Sequence, residues 1–346
     1  MRAVVIHAPE DLRVEDIVEA PPPGPGEVQV RILTGGICGS DLHYFHHGGF
    51  GTVRIRQPMA LGHEIAGVVA SLGDGVSGLA IGTRVAVSPS RPCGACEQCK
   101  RGMPRHCLDM RFMGSAMRFP HVQGGFCEAV TVDASQAVAI PDNLTIGEAA
   151  MAEPLAVCLH AAAQAGSLLG RKVMVTGSGP IGALCVILAR AASAVEIVVT
   201  DVVEAPLAVA RHLGATRTVN VAADTAPLED YRRDKGQFDV LFEASGNQGA
   251  LVAALELLRP GGIIVQLGLG GDMILPVNMI VAKELQLRGS FRFDTEFDLA
   301  IRMMGAGLID VKPLISASLP FTDAVEAFRL ASDRSKALKV HMTFPV

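Results

Sequence analysis

Up to about Thr145, short β-branched runs (Val28–Leu33, Ile65–Ala70, Arg84–Val87, Ala129–Val132) are broken by glycine and proline clusters such as Pro21–Gly26. Punctuation of that kind predicts strands and turns, hence a compact all-β unit. From Thr145 onward, short apolar runs alternate with longer Ala/Leu-rich stretches, the rhythm of βαβ units. Strands are predicted at Lys172–Thr176, Glu196–Thr200, Thr216–Asn220, Phe238–Glu243, Gly262–Leu267 and Glu284–Arg288. Helices are predicted at Ile181–Ala192, Pro206–Leu213 and Gln248–Leu258. The pattern describes an α/β, doubly wound parallel sheet covered on both faces. After Phe291 come two more helical patterns, Asp294–Met304 and Thr322–Ala331, and a last strand near Ala337–Thr343.

Composition narrows the class. With 346 residues, 49% of them hydrophobic and 19% charged, the chain can bury two sizeable cores. A net charge of -5 offers no basic footprint for nucleic acid. No apolar run approaches the ~20 residues of a membrane span, and Met1–Ile6 enters a strand pattern directly, so a cytoplasmic protein is expected.

The most informative motif is Gly177-Ser178-Gly179-Pro180-Ile181-Gly182. It follows a strand, opens a helix, and precedes a strand ending in Asp201, 19 residues after Gly182. That context turns a weak G-x-G-x-x-G into a dinucleotide fingerprint. Gly177 allows the turn, Gly179 lets the backbone approach the pyrophosphate, Gly182 allows close helix packing, and the helix N-terminus attracts the anion. Asp201 would accept from the adenosine ribose. No basic residue occurs between it and Arg211, which favours NAD over NADP.

Cys93, Cys96, Cys99 and Cys107 stand as C-x2-C-x2-C-x7-C, a spacing suited to a closed, structural zinc. Two disulfides and a nucleic-acid-binding zinc ribbon (Arg91, Lys100, Arg101 and Arg105 lie nearby) are the alternatives. A reducing compartment disfavours the first, and the small lobe and acidic chain disfavour the second.

Two further segments, Gly35–Phe45 with Cys38 and Leu61–Glu64 with His63, together with Ala152–Leu155 at the junction of the halves, complete the pattern. In this order ahead of a Rossmann unit, they resemble the zinc-containing medium-chain dehydrogenase/reductase superfamily. The runs Asp109–Phe126 and Leu287–Phe293 resemble its polyol, sorbitol dehydrogenase-like branch. The resemblance implies a GroES-like β-rich catalytic domain over residues 1–148, with a structural zinc lobe at 89–112. It further implies a Rossmann domain over 149–288 and a C-terminal segment, 289–346, returning to the catalytic domain. It also implies two zinc ions per chain, NAD as cofactor, and a homotetramer or homodimer with no nucleic-acid or membrane partner. The sequence departs from the branch where Glu204-Ala205-Pro206-Leu207 replaces an arginine often found after the ribose aspartate.

By the same resemblance, Cys38, His63 and Glu153 would hold the catalytic zinc, with Glu64 as the competing carboxylate. Ser40 would take the substrate proton and pass it to His43. Leu267, Gly268 and Leu269 would lie beside the nicotinamide, with Ser290, Phe291 and Arg292 lining the cleft. Tyr44, Glu153 and Arg292 would contact substrate hydroxyls, whereas Phe293 occupies a substrate position where the branch often has a tyrosine, so one hydroxyl contact would be missing. The expected substrate is the secondary alcohol of a sugar acid. Its carboxylate needs a cation; Arg54, Arg56, Arg111, Arg118 and Arg292 are the candidates, with His121 and Gln123 as neutral partners, and the Arg111–Gln123 segment is favoured. A sorbitol- or xylitol-type polyol is the alternative substrate, and a cofactor-binding relative without turnover is the alternative from another class. Val265–Leu269 is expected as an exposed pairing edge.

Overall fold

The computed structural model describes residues 1–345. Six strands form one parallel sheet in the order Arg217–Asn220, Glu196–Asp201, Lys172–Thr176, Phe238–Glu243, Leu258–Gln266, Gln286–Gly289. The strands read as continuous apolar runs because both faces are covered. Val173, Val175, Val199 and Val240 pack with Leu184 and Ile187 on one face. Met174, Val198, Leu241 and Ile264 pack with Leu251 and Leu255 on the other. Each such side chain, wholly withdrawn from water, contributes about 1.5–3 kcal/mol of transfer free energy. The chain order reverses between Lys172–Thr176 and Phe238–Glu243, which opens a crevice at the strands' C-terminal ends.

The N-terminal half centres on a seven-stranded sheet. In Glu27–Gly36 the alternation Val28-Gln29-Val30-Arg31-Ile32 buries every second residue, as a half-covered strand requires. This strand pairs antiparallel with Glu64–Leu72 and, on its other side, with Lys339–Thr343. The chain's end therefore packs into its beginning, and a strand at Ile315–Pro320, absent from the sequence expectation, extends the sheet.

Three expectations change. The first half is not all-β: Gly39–His47 is a helix. Its two turns carry too few apolar residues for a helical period, and its stability comes from Tyr44 and Phe45 in the core and a terminating Gly48 at φ 67°. Ala152–Ala165 is also a helix, with Pro154 tolerated in its first turn. Val265 is fully buried, because Leu258–Gln266 has strand partners on both sides. The open edges of the parallel sheet are Arg217–Asn220 and Gln286–Gly289. No helix among the described residues is long and apolar enough to cross a membrane.

Candidate active site and metal centres

Register places the first constellation. Gly36 lies opposite Glu64, and His341 opposite Gly36, so Cys38, His63, Glu64 and Lys339 converge at one end of the sheet. Cys38, His63 and Glu64 each bring one donor atom within 4.8 Å of the others. Cys38 caps the Gly39–His47 helix, its N–H donating to Asp41 Oδ2 at 3.0 Å, while the Gly62 N–H donates to Asp41 Oδ1 at 3.3 Å. Buried Asp41 thus ties both ligand-bearing loops together. Sequence reasoning missed it, although the Cys-x-x-Asp spacing is a capping signal. Gly36 is required here, since a Cβ would lie 2.3 Å from Glu64 Oε2.

The donors fit a soft divalent metal. His63 Nδ1 is buried without a hydrogen-bond partner, the Asp41 carboxylate standing 3.8 Å away. Burial, reinforced by Glu64, pushes the Cys38 thiol up to about 12, so a nearby cation is needed to hold a thiolate. The two carboxylates differ. Both Glu64 oxygens accept from Lys339 Nζ, at 2.8 and 2.7 Å, in a fully enclosed pair. Glu153, in the first turn of its helix, is buried, and burial pushes its carboxyl up to about 8 against the pull of His63.

A cleft of about 280 Å³ joins the two halves, lined by Cys38, Ser40 and His43 on one side and Ile181, Leu267 and Gly268 on the other. Ser40 and His43 are three residues apart in one helix, so they share a face. Burial, then His47 and His46, push the His43 imidazole down.

The crevice beyond suits a dinucleotide. Gly179 N-caps the Pro180–Ala191 helix with open space where a Cβ would be, and a Cβ on Gly182 would meet the Gly177 carbonyl at 1.9 Å. Gly268 approaches Gly246 so closely that a Cβ would lie 2.1 Å from its nitrogen. Leu269 is exposed, and Ser290 donates its N–H to Gln266 while its buried Oγ has no partner. Asp201 accepts from the Ser178, Val202 and Val203 N–H groups. It also pairs with Arg334, a cation from 133 residues downstream that local sequence gave no hint of.

The substrate expectations are redistributed. Arg118 is neutralised by Asp109. Buried His121 spends both ring nitrogens, on the Arg56 N–H and the Arg118 carbonyl. The Arg111–Gln123 segment therefore offers neither as a free anion partner. Tyr44 is buried, its hydroxyl accepting from the Ala116 N–H at 2.9 Å. Phe293 is 2% exposed and stacks on Phe297, so its ring is a core contact. Arg292 is different. At φ 55°, it lays its guanidinium 4.3 Å over the Phe112 ring and 4.8 Å over that of Phe291. It has no carboxylate partner among the described residues. Burial pushes its pKa down, opposed by the fields of Glu153 and Tyr44.

In the four-cysteine lobe all thiols are free. Cys96 Sγ lies 3.5 Å from Cys99 Sγ and 3.9 Å from Cys107 Sγ, close to the ~3.8 Å edge of a tetrahedron with ~2.3 Å zinc–sulfur bonds. Backbone N–H groups of Cys93 and Asp109 donate to Cys107 Sγ, and that of Cys96 to Cys93 Sγ. Such donors stabilise thiolates, and two of them, from Cys99 and Leu108, hold the Cys96 thiol down at about 6.

A GroES-like sheet with a cysteine lobe, joined to a Rossmann sheet across a Cys/His/carboxylate cleft, defines a class, and comparison with known proteins identifies it. Residues 24–142 match the alcohol dehydrogenase GroES-like domain, and residues 180–306 match zinc-binding dehydrogenase. The chain belongs to this family of zinc-binding, medium-chain dehydrogenases. It is 45% identical over 316 residues to the L-idonate 5-dehydrogenase (NAD(P)(+)) of Escherichia coli (strain K12), spanning 91% of each chain. It is 37% identical to the sorbitol dehydrogenase of Gallus gallus, over 98% of this chain and 95% of that one. The crystal structure of the Escherichia coli L-idonate 5-dehydrogenase superposes with a TM-score of 0.93 at 43% identity, covering 99% of this chain and 98% of that one.

Proposed function

We propose that the enzyme interconverts L-idonate and 5-keto-D-gluconate, with NAD as hydride acceptor. The supporting observation is Arg292, an uncompensated cation held between two aromatic faces and within the field of Glu153. A sugar acid differs from a polyol by a carboxylate, and a planar guanidinium is suited to it. The 45% identity with an L-idonate 5-dehydrogenase supports the same reading.

Each centre then has a role. Cys93, Cys96, Cys99 and Cys107 close one zinc site, which shapes the lobe. Cys38, His63 and Glu153 hold the second zinc. We prefer Glu153 because Lys339 occupies both oxygens of Glu64. When bound, zinc supplies a Lewis acid and the dinucleotide a hydride acceptor. Ser40 takes the proton released by the substrate hydroxyl. His43, kept neutral by its depressed pKa, receives that proton at the cleft mouth. The electron pair of the carbinol C–H bond leaves as hydride, and the carbinol becomes a ketone. Residues 1–148 act as the catalytic domain, 149–288 as the dinucleotide domain, and 289–346 as the returning segment. A homodimer formed through the open Gln286–Gly289 edge, itself able to pair into a tetramer, and a cytoplasmic location complete the reading.

The test is kcat/KM with NAD for L-idonate, sorbitol and xylitol, repeated with Arg292→Leu. L-idonate is expected to lead, and the substitution to raise its KM more than tenfold, roughly the worth of one charge-assisted pair, while sorbitol changes less. An equal or higher kcat/KM for sorbitol would place the enzyme with the polyol dehydrogenases instead.

A further inference from the structure

Asp201 closes the Glu196–Asp201 strand, at the position that meets an adenosine ribose in a dinucleotide fold. Its side chain is 2% exposed and held by backbone: Oδ1 accepts from the Val202 and Val203 N–H groups at 2.7 and 3.0 Å, and Oδ2 from the Ser178 N–H at 2.6 Å. The fourth bond comes from Arg334, whose Nη2 donates to Oδ2. Arg334 sits in the turn between helix Ala324–Ser332 and strand Lys339–Thr343, on the N-terminal sheet's side of the molecule. Its side chain is 45% exposed. Among the described residues Asp201 is its one hydrogen-bond partner, so most of its five N–H donors remain available. The carboxylate is a fixed anchor, and the guanidinium is the water-facing half of the pair.

We propose that Arg334 determines dinucleotide specificity by admitting the 2′-phosphate of NADP, so that this enzyme binds both NAD and NADP. The inference rests on the reading of Gly177–Gly182 and Asp201 as a dinucleotide site. A lone carboxylate at this position repels a 2′-phosphate. A carboxylate neutralised by Arg334 does not, and the remaining fork of donors matches phosphate oxygens. With NAD, the ribose hydroxyls take the place of the guanidinium on Oδ2. With NADP, the guanidinium keeps its bond to Oδ2 and turns its free N–H groups to the phosphate. One ion pair thus serves both cofactors, in place of the arginine that the Glu204–Leu207 stretch lacks.

Isothermal titration of the full-length enzyme with NADH, NADPH, 5′-AMP and 2′,5′-ADP reads the subsite without turnover. The wild type is expected to bind both dinucleotides. Arg334→Ala is expected to weaken NADPH and 2′,5′-ADP by roughly 10- to 100-fold, the worth of a charge-assisted pair, while NADH and 5′-AMP change by less than about threefold. Arg334→Lys, which keeps the charge and loses the fork, falls between. Lys336→Ala, a neighbouring cation paired with Asp333, keeps the wild-type ratio. Added salt weakens NADPH more in the wild type than in Arg334→Ala. Equal effects of Arg334→Ala on NADH and NADPH, or none on either, overturn the proposal. So does a wild type that binds NADH but not NADPH, with the dinucleotide site itself intact. If no dinucleotide and no 5′-AMP binds, the underlying site assignment fails as well.

Discussion

Lys339 and Glu64, 275 residues apart in the chain, form an ion pair closed to water on both sides: Nζ lies 2.8 and 2.7 Å from the carboxylate oxygens, with side chains 2% and 0% exposed. Burial alone would push the lysine down, but Glu64 and Cys38 outweigh it and hold it above its usual value. Nζ also donates to the Ile37 carbonyl at 3.0 Å, beside Cys38. Removing one member of such a pair strands the other charge in the interior. Lys339→Met is therefore expected to cost about 3–5 kcal/mol in urea unfolding, whereas Glu64→Leu with Lys339→Met recovers most of that loss. A single-mutant cost below about 1 kcal/mol would show that the pair does not carry the charge balance assigned to it.

The two metal centres should separate by mutation. Wild-type enzyme is expected to carry two zinc ions per chain by elemental analysis, and Cys38→Ser and Cys96→Ser one each. They differ in stability: Cys96→Ser opens the lobe and lowers the unfolding temperature, because structural zinc binding is itself folding free energy. Cys38→Ser leaves the lobe intact and abolishes turnover. Retention of both ions by Cys38→Ser would remove that thiol from the second centre.

Features whose causes lie close together in the chain were legible in the sequence. Lys172–Thr176 and Phe238–Glu243 appear as strands at the expected residues, because a strand covered on both faces is a continuous apolar run. The four cysteines advertise themselves by spacing. The Gly39–His47 helix was hidden because its support is a cap and two aromatic anchors rather than a periodic stripe. Lys339 and Arg334 were invisible for a different reason. Their partners, Glu64 and Asp201, lie 275 and 133 residues away, and only the return of the Lys339–Thr343 strand and its preceding turn brings them near. Of the arginines that the sequence offers for a substrate carboxylate, Arg118 pairs with Asp109 and Arg292 has no carboxylate partner among the described residues, a difference set by neighbours in space that the residue type does not reveal.

Acid should find a specific weak point at Asp239. Burial pushes this carboxyl up, but the Lys172 N–H at 2.8 Å and the Arg259 and Arg171 guanidiniums outweigh it and hold it below its usual 3.8. A carboxyl depressed in the folded state contributes stability above its unfolded pKa and loses it as pH falls through the folded value. Asp239→Asn should therefore have a lower urea midpoint than wild type at neutral pH, and the difference should shrink progressively below about pH 4. A difference that persists unchanged at lower pH would assign the effect to lost hydrogen-bond geometry rather than charge.

The parallel sheet ends on Gln286–Gly289, which has a strand partner on one side only. Leu287 is 48% exposed there, and Ile274, Val277 and Val281 of the preceding segment are exposed too. An open edge bordered by apolar side chains invites pairing with another strand. A two-fold axis lets the same edge of a second copy satisfy it, with each Leu287 meeting apolar surface of its partner. Leu287→Asp should therefore halve the mass seen by light scattering, because a carboxylate would be buried without a counter-charge at the centre of that contact. Val18→Asp, at a site exposed on the N-terminal half, should leave the mass unchanged. If Leu287→Asp retains the wild-type mass, the subunits associate through another surface.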